Sequence, residues 1–98
     1  MAYFLILAKD RLDALADRIA HRQEHIDYWT GNPGVVKVAG AMLDGEAPCG
    51  SALLIEADSE SAARALLARD PFSIHGIFSA DVQVTTVRPA IGDWLPAA

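Results

Sequence analysis

Val35-Val36-Lys37-Val38-Ala39-Gly40-Ala41-Met42-Leu43, Asp44-Gly45-Glu46-Ala47-Pro48 and Ser51-Ala52-Leu53-Leu54-Ile55-Glu56-Ala57 occupy the middle of a 98-residue chain. The outer two runs are rich in branched and apolar residues and read as strands. The run between them carries turn chemistry, so the two strands are expected to pair as a hairpin. Val36 and Val38, with Ala39, are expected to pack inward. A hairpin at this position places two antiparallel strands side by side between whatever precedes and follows them.

Helical periodicity precedes the hairpin. From Arg11 to Trp29 the residues Leu12, Leu15, Ile19, Ile26 and Trp29 recur at spacings of three, four and seven, and Asn32-Pro33-Gly34 ends the helix. Asp10 is its expected cap. Residues 2–8 form a short apolar run that suits a buried strand. After the hairpin, Asp58 and Ser59 are N-cap candidates for an alanine- and leucine-rich helix through Ala68, which Asp70-Pro71 breaks. The capping box is incomplete, because alanine rather than glutamate stands three residues after Ser59. Ile77 to Arg88 alternates through Val82, Val84 and Thr86 as a fourth strand, and Pro89 stops it.

The order β-α-β-β-α-β defines a ferredoxin-like α+β fold, an antiparallel sheet with two helices on one face. One domain is expected over residues 1–98, with a core of about 2–89 and a tail, 90–98, that contains Trp94. The bare face of the sheet calls for a cover. A second copy packed sheet to sheet would supply it, and the space enclosed could hold a ligand.

Composition narrows the function classes. Apolar residues make up 52% of the chain, which is high for so small a domain and consistent with a homodimer or a higher oligomer. The net charge is −5 and no basic cluster occurs, so nucleic-acid binding is not expected. The single cysteine, Cys49, allows no internal disulfide and suits a reducing compartment. The apolar run at residues 3–8 is far too short to span a bilayer and lacks the flanks of a signal peptide, so a cytoplasmic protein without a membrane partner is expected. No phosphate-binding glycine loop or organic-cofactor motif is present, and no cofactor or metal is expected.

At roughly 100° per residue, Leu12, Leu15, Ile19 and Ile26 form the expected buried stripe of the first helix. Arg18, Arg22, His25 and Trp29 fall together along one edge of it. Such an edge suits an anionic, planar ligand, with guanidinium for carboxylate or enolate, indole for stacking and imidazole for proton transfer. The bland reading is that the arginines lay their stems over the core with their heads in water, while His25 makes an interface hydrogen bond. Asp70 likewise has two readings, a functional carboxylate or a cap for a short turn at Pro71-Phe72-Ser73, and the two are compatible. Gly76 suits a positive φ at the turn into the last strand.

Arg22 and His25, Ala39-Gly40, and Asp70-Pro71-Phe72 followed by Gly76 together resemble the YciI-like (YCII-related) family. Its pattern has an Arg-x-x-His helix motif, an Ala-Gly second strand and an Asp-Pro-aromatic motif followed by glycine. The resemblance extends to about Pro89. It implies a dimeric α+β barrel with a His–Asp pair in a cleft, here His25 and Asp70, with Arg22, Arg18, Trp29, Phe72 and Gly76 around the substrate. Family chemistry includes dehydrochlorination of a chlorinated hydroxyquinol, and muconolactone isomerases look like related barrels. The implied activity is lyase or isomerase acid–base chemistry on a small cyclic or anionic substrate. The chain departs from the family at Ala41-Met42, where proline is common, and at His75, an extra ionisable group expected to be exposed.

Three other patterns carry less. His21-Arg22-Gln23-Glu24-His25 fits the zinc-peptidase string H-x-x-E-H, but the sequence offers no obvious third ligand and the chain is very short for that role. An RNA-recognition domain shares the element order, but Gly50 to Ile55 has no aromatic residue for base stacking. Copper chaperones need paired cysteines. The rival to an enzyme is a non-catalytic metabolite-binding or assembly module in which His25–Asp70 is structural.

Overall fold

The computed structural model describes residues 2–93 and 95. Its elements are β1 (Ala2–Asp10), α1 (Leu15–Thr30), β2 (Val36–Asp44), β3 (Ala47–Ala57), α2 (Glu60–Ala68), α3 (Pro71–Ile74) and β4 (Phe78–Val87). The expected order is present, with the one-turn helix α3 added where the sequence had suggested only a break or turn. Pro71 at its first position and Asp70 at its N-cap explain it, since that pair starts a helix as readily as it ends one. Trp94 lies outside the described residues.

The four strands form one antiparallel sheet in the order β2-β3-β1-β4. The helix-facing phase of β1 is Phe4, Ile6 and Ala8, and that of β3 is Ser51, Leu53, Ile55 and Ala57; all are buried. Trp29 of α1 and Ala63 and Leu67 of α2 close the core over them. Ser59 caps α2 by accepting from the Ala62 amide at 3.1 Å. No helix among the described residues is long and apolar enough to cross a membrane.

Three local expectations are corrected. Val38 is 60% exposed, because Lys37 is an extra residue between the Val36–Ile55 and Val38–Leu54 pairs. That bulge moves Val38 to the outer face with Leu54. Asp10 does not cap α1. The strand runs on through it, and its carboxylate takes the Nε proton of Arg18 at 2.8 Å, leaving Ala14 as the N-cap with no side-chain cap bond.

The third correction concerns which face of α1 is inward. Leu12, Leu15 and Ile19 are 90%, 41% and 64% exposed, whereas Arg18 and Trp29 are buried. The inward stripe is Arg18, His25 and Trp29, with exposed Arg22 at its edge, so the helix is turned by roughly 90° from the orientation that its apolar residues suggest.

Gly50 marks the closest strand approach. A Cβ there would lie 2.6 Å from the Ala8 carbonyl oxygen and 2.4 Å from Met42 Cε. Backbone cannot yield as a side-chain tip can, so Gly50→Ala is expected to destabilise the fold by about 1–3 kcal/mol. Urea unfolding at fixed protein concentration checks this.

Candidate functional site

Asp70 is the buried centre of the site and is fully inaccessible to solvent. Its Oδ1 accepts from the Phe72 amide at 2.9 Å, which caps α3, and its Oδ2 accepts from Trp29 Nε1 at 2.8 Å. His25 Nδ1 lies 2.9 and 2.8 Å from the two oxygens. The capping and pairing readings of Asp70 therefore coexist. A buried carboxylate demands donors, and three elements meet here to provide them.

That bond orients the imidazole. With the proton of neutral His25 on Nδ1, donated to Asp70, the Nε2 lone pair is the one left for other partners. The ring also stacks on Phe72 at 4.0 Å with 10° between planes, which fixes its plane. On the same aromatic ring sits the Arg18 guanidinium, 4.5 Å from its centroid.

His25 borders a cavity of about 420 Å³ between α1 and the β2–β3 end of the sheet. Arg18, Arg22, Ile26 and Trp29 line it from the helix, and Val36 to Ala41 with Ser51 line it from the strands. Phe72 and Gly76 do not border it. Phe72 is fully buried behind His25 and Arg18, and Gly76 adopts a φ of 67° while its carbonyl accepts from Arg11 Nε. Trp29 borders the cavity, but its indole N–H is committed to Asp70. Arg22 has no ion-pair partner among the described residues and is an available cation at the mouth. Arg18 is buried, held by Asp10 and by Ser51 Oγ, which accepts from Nη2 at 2.6 Å.

Asp10 and Ser51 are the residues that sequence reasoning missed. Ser51 had a readable signal as the one polar residue on the inward phase of β3. Ser51→Ala leaves a buried guanidinium proton without its acceptor and is expected to lower stability by about 1–3 kcal/mol, measured by urea unfolding.

Outside the cavity, His75 is exposed, as expected, yet it is not without a partner. Its Nε2 is 3.2 Å from Glu24 Oε2, and His21 Nδ1 is 3.2 Å from Glu24 Oε1. These two hydrogen bonds hold the Glu24 carboxyl below its ordinary range. His21 thus turns to Glu24 and His25 to Asp70, which separates the two histidines of the H-x-x-E-H string.

The fold is that of a ferredoxin-like α+β domain, here with a histidine–carboxylate pair beside a cleft. This chain belongs to the YCII-related domain family, whose model matches residues 2–88. It is similar to a 5-chloro-2-hydroxyhydroquinone dehydrochlorinase (TftG) from Burkholderia phenoliruptrix AC1100, solved in complex with 2,5-dihydroxybenzoquinone. Identity is 30%, the match covers 92% of this chain and 95% of that chain, and the TM-score is 0.76. Two more distant structures share the fold alone. One is an antibiotic biosynthesis monooxygenase, at 14% identity and a TM-score of 0.57, with 93% of this chain and 100% of that chain covered. The other is a protein of unknown function from Nitrosomonas europaea, at 13% identity and a TM-score of 0.57, with 98% and 94% covered. No curated protein matches the chain.

Proposed function

We propose that this protein is a cofactor-independent lyase or isomerase in which His25 moves a proton on a small, ring-bearing anion or phenol. One observation carries the reading: His25 Nδ1 is held by buried Asp70 while the ring borders a cavity with Arg18 and Arg22. Nε2 takes a proton from a ring hydroxyl or an acidic C–H, Asp70 stabilises the imidazolium that results, and Arg22 balances charge on the substrate oxygen. For a chlorinated hydroquinol the proton returns to the ring carbon that bears chlorine, making a ketone. Loss of H⁺ and Cl⁻ from that ketone then gives a quinone, so HCl is the net loss and no external oxidant is needed. The likeness to the dehydrochlorinase makes 5-chloro-2-hydroxyhydroquinone the first substrate to try.

The working unit in this reading is a cytoplasmic homodimer. Leu5, Leu7, Ala52, Leu54 and Val38 lie on the sheet face opposite the helices, and Leu5 and Val38 are 37% and 60% exposed. Burying that face against a second copy removes the apolar surface from water.

A non-catalytic binding module is favoured by one observation: Asp70 already satisfies three donors and would be needed for structure alone. Chloride release from the chlorinated hydroquinol, above the rate without protein and dependent on His25, supports the enzyme. Saturable binding of 2,5-dihydroxybenzoquinone with no turnover of any halogenated phenol or lactone supports the module.

A further inference from the structure

We propose that His21, Glu24 and His75 form a binding site for a divalent transition-metal ion of the zinc type, joining α1 to the end of α3. His21 and Glu24 are three residues apart on α1 and share a face of it. His75 is the C-cap of α3, brought across 51 positions of sequence to the same carboxylate. It is the third ligand that no reading of the H-x-x-E-H string could supply.

The ligand atoms of the three side chains all lie within 4.8 Å of one another. Each imidazole nitrogen is 3.2 Å from a Glu24 oxygen. A charge-assisted hydrogen bond draws in to about 2.7–2.9 Å. Ligand atoms at about 2.0–2.1 Å from a tetrahedral zinc stand about 3.3 Å apart, close to the two nitrogen–oxygen separations here, so the set needs only to draw together.

The rings supply a second, independent observation. His21 and His75 stack with centroids 3.6 Å apart and 15° between planes. The stack holds both imidazoles beside the one Glu24 carboxylate. Both histidine side chains reach solvent, at 28% and 37% exposure, so modest rotations can converge their lone pairs on one point. Two nitrogens and one carboxylate, with a fourth position for water, is a zinc-type set; calcium and magnesium take oxygen ligands in larger number.

The site is separate from the His25–Asp70 pair but joins the elements that carry it. Asp70 begins α3 and His75 ends it, while Glu24 and His25 are neighbours on α1. Metal at this point ties down the junction between α1 and α3.

The test uses untagged, metal-free protein titrated with zinc chloride by calorimetry, then melted with and without zinc. We expect one zinc per chain and a rise in Tm of at least about 5 °C at saturation. His75→Ala and His21→Ala should each weaken binding by at least about tenfold, and Cys49→Ser should leave it unchanged. Glu24→Gln replaces either histidine variant that fails to fold. Absence of saturable zinc uptake overturns the proposal, as does uptake that survives both His75→Ala and Glu24→Gln.

Discussion

His25→Ala is expected to lower turnover by about 10²- to 10⁴-fold, the usual contribution of a positioned proton-transfer group, while the protein remains folded. The second half of that expectation follows from the hydrogen bonds around Asp70. Without the imidazole, Oδ1 still accepts from the Phe72 amide and Oδ2 from the Trp29 indole. The buried carboxylate therefore keeps a donor on each oxygen. What is lost is a ring stacked on Phe72 and 14% exposed at its side chain, a packing defect at the cavity edge rather than an orphaned charge. Chloride release on the chlorinated hydroquinol, with a melting curve alongside, separates chemistry from folding. Undiminished turnover would remove His25 from the reaction.

Asp70→Ala should fail in the opposite way. One substitution strips the acceptor from Trp29 Nε1, the Phe72 amide and His25 Nδ1 at once, in a place closed to solvent. It also removes the cap of α3. Loss of a buried, multiply bonded charged partner costs about 3–5 kcal/mol, a large share of the total stability of a small domain. Asp70→Asn keeps one acceptor oxygen but turns an amide N–H₂ toward groups that are themselves donors, and about 1–3 kcal/mol is expected. Urea unfolding of both variants at one protein concentration orders them: wild type, then asparagine, then alanine. Equal stability for all three would mean that the carboxylate is not the structural centre described here.

The element order was legible because each signal was local: a turn-bearing hairpin, a helical repeat, an alternating last strand. The facing of α1 was not, and the reason is energetic. Its apolar stripe and its Arg-Arg-His-Trp stripe are adjacent on the wheel, and burial of apolar area alone would turn the first one inward. Burial of the second is made affordable by partners far away in sequence. Asp10 neutralises Arg18 and Ser51 bonds it, and Asp70 bonds His25 and Trp29. A rule that ranks residues by hydrophobicity cannot see a salt bridge before the strands are paired.

The same limit explains the remaining errors. Asp10 had a cap's identity and a cap's position, but β1 extended through it and aimed the carboxylate at Arg18. Val38 obeyed the alternation of its strand until the bulge at Lys37 reversed it. Motifs name His25 and Asp70 as partners, yet nothing local marks Trp29 as the third donor to that carboxylate. The exposure of His75 follows from its place in a loop, but no local signal shows that α3 carries it to Glu24.

The two register shifts between β2 and β3 have a further consequence, for colloidal behaviour. As a terminal strand of the sheet, β2 offers a row of backbone donors and acceptors on its open side, a template onto which another chain could add. Its pairing slips between Val36 and Val38 and again between Met42 and Leu43, where Cys49 is the extra residue on β3. The longest unbroken run of the ladder is Val38 to Met42, and Lys37 sits at its head. A segment so short and so charged at its start is a poor seed for fibrils. Edge-to-edge growth of copies along β2 is thereby discouraged.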